Sequence, residues 1–217
     1  MSILLLGGSP QSPSSTSRLL QHIGQQLALH GHEVSKLDVR DLPAAALLQA
    51  DYANQQIADA VRAVAEADAI VIATPVYKAA YTGLLKAFLD LLPQDGLRGK
   101  LVLPLATGGG HAHTLALDYA LRPVLHALDA RQVFASIYAN SQQLNWHEER
   151  GLTLDAPIEL RVQAGVTDLS AGLFVLQGAR RAAATAHQEQ PDTPPLSQRS
   201  LQERPYNTTN NTALHTA

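Results

Sequence analysis

The chain has 217 residues, 46% of them apolar, a formal net charge of −3 and no cysteine. That length suits one well-buried domain. The lack of Cys excludes disulfide, thiolate-nucleophile, zinc-thiolate and iron–sulfur chemistry, and the charge balance offers no basic footprint for nucleic acid or an anionic membrane.

The opening run Met1–Gly8 has no basic n-region, and no stretch approaches the roughly 18 apolar residues of a membrane span. A cytoplasmic location is therefore expected. Ile3–Leu6 reads as a strand buried on both faces that stops at Gly7-Gly8. A turn rich in Ser and Pro follows from Ser9 to Ser17. Leu19, Leu20, Ile23, Leu27 and Ala28 then recur at helical spacing up to Gly31. Val34, Leu37 and Val39 predict a second strand, ended by Asp41-Leu42-Pro43. Ala44 to Gln55 reads as a short helix and a loop, and Ile57, Val61, Val64 and Ala65 mark a further helix. Asp68–Thr74 is the clearest strand, closed by Pro75.

Leu84, Leu85, Phe88, Leu89 and Leu92 predict the next helix, with Lys86 and Asp90 spaced to pair on its outer side. Leu101–Ala106 is a fourth strand running into Thr107-Gly108-Gly109-Gly110. A helix is expected from about Thr114 to Leu128, a fifth strand over Val133–Tyr138 and a polar loop over Ala139–Ala156. The last helix is expected from Pro157 to about Ala186, with a break near Gly165. Beyond it Gln, Pro, Thr, Ser and Asn dominate, which buries too little apolar surface to offset ordering entropy. Residues 1–186 are thus read as one domain and 187–217 as a disordered tail.

Strands alternating with helices demand a parallel sheet covered on both faces. Five strands favour the α/β flavodoxin-like order 2-1-3-4-5, whose ligands sit beyond the carboxyl ends of the strands, at the switch point between strands 1 and 3. The loops after Leu6, Thr74 and Ala106 are the expected site. In the first, Ser9, Gln11, Ser14, Ser15, Thr16 and Ser17 open a helix, where backbone N–H groups and hydroxyls suit a phosphate monoester. A plain N-cap needs only one Ser. Neither GxxxxGK[ST] nor GxGxxG occurs there, which excludes a P-loop and a Rossmann dinucleotide motif. In the second loop Pro75, Val76, Tyr77 and Lys78 suit the flank of a flat aromatic ligand, or a plain surface turn. In the third, Thr107, Gly108, Gly109 and Gly110 let backbone approach a ligand closely, or make a ligand-free hinge. His111 is read as a polar lining residue. With His113 it makes a poor metal site, having no nearby carboxylates.

Gly8-Ser9-Pro10, then Thr74–Tyr81 with Gly83, Leu85-Lys86 and Asp90, then Thr107-Gly108-Gly109, resemble the NADPH-dependent FMN reductase family. The resemblance spans about residues 1–185. The run from Ala73 to about Leu128 is most similar to the FMN reductase component of two-component alkanesulfonate monooxygenase systems. The resemblance implies FMN, as substrate or loosely bound cofactor, with its phosphate in the Ser9–Ser17 loop and its ring against Pro75–Lys78 and Thr107–His111. It implies NADPH as hydride donor, no catalytic side chain and no metal. It further implies a partner monooxygenase that takes up the reduced FMN and desulfonates alkanesulfonates.

The family often carries Arg where this chain has Gln11, a loss that Arg18 is placed to offset. Arg18, Lys78 and Arg122 are also the candidate cations for the NADPH 2′-phosphate. Pro123 favours a kink or bulge in its helix. In the resembling reductases a π-bulge bearing a Tyr that matches Tyr119 lies at a tetramer interface, so a homotetramer is expected. The alternatives are an FMN-bound quinone or azo reductase, which shares the fold, and a flavodoxin-type electron carrier. The near-neutral charge and the Ala139–Ala186 extension count against the carrier.

Overall fold

The computed structural model describes residues 1–110 and 115–188, with the side chains of its last helix described to residue 185. The sheet core is β1 (Ser2–Gly7), β2 (Glu33–Asp38), β3 (Ala69–Pro75) and β4 (Leu101–Gly108), completed by the short β5 (Gln132–Val133) and β6 (Ile137–Asn140). Its order is β2-β1-β3-β4-β5, all parallel, with β6 also paired to β4. This is the expected doubly wound α/β sheet. The expected fifth strand is present in two pieces. Between them the Arg122 guanidinium donates to the carbonyls of Val133 and Phe134, at 3.3 and 3.2 Å. A side chain thus takes the acceptors that a continuous ladder would use.

The strands alternate cleanly between two cores. Leu4, Leu6, Ile70, Ile72, Val102 and Ala106 face α2 (Ala44–Leu48), α3 (Gln55–Glu66), α4 (Gly83–Leu89) and α5 (Arg122–Ala127), with Phe88 fully buried among them. Ile3, Leu5, Val71, Leu101, Leu103 and Leu105 face α1 (Ser15–Leu29) and α6 (Ala156–Gln188). The compact unit runs Met1–Arg180. No helix among the described residues is long and apolar enough to cross a membrane.

Two local expectations are corrected and one is met. The predicted polar loop Ala139–Ala156 contains an antiparallel hairpin, β7 (Leu144–His147) with β8 (Gly151–Leu154). Leu144 faces Leu154 and Trp146 faces Leu152 across it, and its leucines join the α1/α6 core. The period-two pattern is split by polar residues and shows only once the strands are paired. The break expected near Gly165 is absent. A Cβ there would stand 2.9 Å from Ile137 Cδ1, so this glycine brings α6 close to the sheet. The Pro123 helix does bulge: Leu117–Leu121 is a π turn leading into α5. The proline ring cannot sit over a carbonyl four residues back in an α ladder, and the inserted residue relieves it. The tail expectation falls, from residue 189, outside the described residues.

One ion pair ties the sheet's amino edge to α6. Asp68 accepts from Ser2 N at 2.8 Å and from Arg180. Burial raises its pKa, but the Ser2 N–H and the Arg180 guanidinium outweigh that, so it lies below the usual carboxylate value. A depressed pKa contributes stability that is present above the unfolded value and lost as pH falls through the folded one. Asp68→Asn is therefore expected to lower the thermal midpoint at pH 7, with the gap to wild type closing below about pH 4. Melts at pH 7 and pH 3 check this; an equal gap at both contradicts it.

Candidate functional site

The carboxyl ends of β1, β3 and β4 converge as the topology requires. Gly7 pairs with Ala73, Pro75 with Thr107, and Gly108 with Asn140 on β6. Side chains then lock the three predicted loops together. Gly8 donates its N–H to the Ala73 carbonyl at 2.7 Å, and the buried Thr82 hydroxyl donates to the Gly8 carbonyl at 2.6 Å. Thr82 N donates to the Thr74 hydroxyl, and Thr82 also caps α4. Thr16 and Thr107 share a buried hydroxyl–hydroxyl bond of 2.6 Å that joins the start of α1 to the end of β4.

The hydroxyls of the first loop are partly committed. Ser14 and Ser17 form a reciprocal capping box at the start of α1. Ser17 spends both its donor and an acceptor there, donating to the Ser14 carbonyl at 2.9 Å. Ser9 is buried and closes a local turn with the Gln11 backbone. The hydroxyl of exposed Ser12 bonds to nothing among the described residues, and at the helix start the Ser15 hydroxyl and the N–H groups of Ser15 and Thr16 have no acceptor among them either. These are the orphan donors of a helix start, aligned with its dipole. An anion with several oxygens fits them.

Sequence reasoning missed the cation behind this loop. Arg40, in the 3₁₀ turn Val39–Asp41 after β2, donates to the carbonyls of Gln11 and Ser9 at 3.1 and 3.4 Å. Its other nitrogen pairs with buried Asp38 at 2.7 Å. Arg40 thus carries positive charge to the loop from below. The only prior signal was a charged pair at the end of a strand. Arg18 points elsewhere, with its guanidinium 4.2 Å from the centroid of the Trp146 ring. Arg122 is committed to the sheet edge as described above and to Asp118.

In the second loop Val76 spends its N–H on the Thr107 carbonyl at 2.8 Å, extending the β3–β4 pairing. Tyr77 and Ala80 exchange backbone bonds of 2.9 and 3.1 Å around a tight turn. Its two central residues, Lys78 and Ala79, have φ of 52° and 62°. Both positions favour glycine or asparagine in such a turn. The turn holds exposed Lys78 and half-exposed Tyr77 at the rim of the site. Ala79→Gly is expected to relieve the strain and raise the thermal midpoint by about 1–3 °C. A lower midpoint in a thermal melt would contradict this.

In the third loop Gly108 lies against the buried Tyr138 ring, whose hydroxyl donates to the Gly110 carbonyl. Burial pushes the Tyr138 phenol up, which keeps it a donor. Gly109 and Gly110 are open on the side where a Cβ would stand. Tyr138 too was not singled out from the sequence, where it was only the end of a strand. His111 lies outside the described residues.

Residues 1–144 match the family model described as NADPH-dependent FMN reductase. The chain belongs to the NADPH-dependent FMN reductase family. It is 45% identical over 148 residues to "FMN reductase (NADPH)" of Pseudomonas putida, covering 68% of this chain and 75% of that one. Against "FMN reductase (NADPH)" of Escherichia coli it is 41% identical over 171 residues, 76% of this chain and 90% of that one. The structure of an NADH:FMN oxidoreductase, EMOB, in its apo form superposes with a TM-score of 0.72 at 38% identity, covering 79% of this chain and 89% of that one. Family membership makes the chain a flavodoxin-like oxidoreductase that works with FMN and NAD(P)H.

Proposed function

We propose that the chain reduces FMN with NADPH and releases the product, acting as the flavin-supplying half of a two-component system. The overall change is FMN + NADPH + H⁺ → FMNH2 + NADP⁺. The hydride chemistry belongs to the two nucleotides, and the protein supplies position and electrostatics. The carrying observation is the free start of α1, where the Ser15 and Thr16 N–H groups and the Ser15 hydroxyl stand beside the Thr16–Thr107 bond. On this reading the phosphate end lies next to the Gly108–Gly110 loop.

On this reading Ser9, Gln11 and Ser14 to Ser17 shape the phosphate end. Pro75 to Lys78 flank the ring, and Thr107 to Gly110, with His111, face its pyrimidine edge. A loop that grips the phosphate through neutral donors, with its cation Arg40 held behind the backbone, fits a substrate that leaves each turnover. The partner is read as an FMNH2-dependent monooxygenase that desulfonates alkanesulfonates, on the resemblance of Ala73–Leu128. The exposed Tyr119 on the π turn, beside exposed Leu115, is read as part of a tetramer interface. Residues 1–186 form the cytoplasmic reductase domain in this scheme.

The test is NADPH oxidation by dialysed protein with and without added FMN. Near-colourless protein whose activity requires and saturates with free FMN supports the proposal. A yellow protein that keeps its flavin through dialysis and reduces quinones or azo dyes far faster than FMN overturns it.

A further inference from the structure

The outer face of α1 carries Arg18, Gln21 and His22, spaced three and four residues apart and so on one stripe. The β7–β8 hairpin rises beside that stripe. Between them lies a groove of about 480 Å³, walled on the hairpin side by Trp146, Glu149 and Arg150. The volume lies within the roughly 300–1,000 Å³ of small-molecule sites. The groove begins at Arg18, one turn after Ser14, and so opens beside the free start of α1. It continues along the helix for about 16 Å to Leu29. The hairpin wall lies beyond residue 144, where the family match ends.

Its chemistry is that of a nucleotide site. Trp146 carries the Arg18 guanidinium on one face at 4.2 Å and stays 47% exposed, which leaves indole surface for a second flat ring. Arg18 and the exposed Arg150 set two cations against the single carboxylate of Glu149 in the groove lining. We propose that this groove binds the adenosine-phosphate half of a dinucleotide substrate. The base stacks on Trp146, and the phosphates meet Arg18 and Arg150. The proposal rests on the reading that the flavin phosphate sits at the start of α1. An adenylate joined to that phosphate, as in FAD, then has the groove beside it. The same chemistry is offered by the 2′-phosphorylated adenosine of NADPH.

The probe is ADP, titrated calorimetrically into the full chain. ADP is expected to bind wild type, and Trp146→Ala and Arg150→Gln are each expected to weaken it about tenfold or more. The FMN Kd should stay within about twofold, because neither residue belongs to the three loops read as the FMN site. Arg150 is exposed, so its replacement keeps the test readable if Trp146→Ala fails to fold. Steady-state kinetics then name the source. A KM raised for FAD but not FMN assigns the groove to the flavin dinucleotide; one raised for both NADPH and NADH, with FAD unchanged, assigns it to the pyridine nucleotide. No ADP binding, ADP binding indifferent to both substitutions, or no change in either KM overturns the proposal. ADP needs no flavin in the site, so failure of the phosphate-loop reading, seen as equal binding of riboflavin and FMN, is distinguishable from failure of the groove.

Discussion

Ser15→Asp is expected to raise the FMN Kd by about 100-fold, close to 2.8 kcal/mol, while the protein folds as well as wild type. Ser15 is the first residue of α1, is half-buried, and its hydroxyl bonds to nothing among the described residues. A carboxylate there takes the place of the phosphate and repels it. The same charge suits the helix dipole and adds about 0.3–1 kcal/mol of stability. Binding and stability should thus move in opposite directions, which a merely damaged fold does not produce. Fluorescence titration of FMN beside thermal melts checks both. Unchanged FMN affinity would move the phosphate away from α1.

Gly8→Ala should act on the same loop from below and should harm both. A Cβ at Gly8 would stand 2.7 Å from Leu85 Cβ and 3.2 Å from the Ala73 carbonyl oxygen. Neither is the end of a flexible side chain, so α4 or the loop must shift. The shift strains the 2.7 Å bond from Gly8 N to Ala73 and the 2.6 Å bond from Thr82 to the Gly8 carbonyl. Overpacking of this kind costs about 1–3 kcal/mol, or roughly 2–12 °C in midpoint for a chain of this size. FMN affinity should fall with it, since Ser9 and Gln11 follow directly. Wild-type stability in this variant would mean that the loop yields freely and is not held by α4.

The fold was readable because the central strands β1, β3 and β4 are short apolar runs and the longer helices carry apolar residues at three- and four-residue steps. Ile3–Leu6 and Ala69–Thr74 are buried on both faces, as continuous runs predict. The β7–β8 hairpin was not readable, because its leucines alternate with polar residues over only a few positions. The interruption of the fifth strand was hidden for another reason: it depends on Arg122, which lies ten or more residues earlier in the chain.

At the site, the three loops were legible from Ser, Gly and Pro placement at strand ends. Which hydroxyls stay free was not. Ser14 and Ser17 satisfy each other, and Thr16 is matched with Thr107 at a separation of 91 residues. Composition counts such groups as available, and only their partners show otherwise. Arg40 and Tyr138 act through backbone carbonyls of Gln11 and Gly110. Contacts to backbone leave no complementary side chain to notice. Arg18 looked placed to serve the phosphate by distance along the chain, yet its partner Trp146 draws it to the hairpin.

The central claim, that the start of α1 recognises a flavin phosphate, is tested most directly by titrating FMN and riboflavin against the same protein. The two ligands differ only in the phosphate. FMN is expected to bind about 100-fold more tightly to wild type, with the advantage gone in Ser15→Asp and riboflavin affinity unaltered. Equal affinity of wild type for FMN and riboflavin would contradict the account.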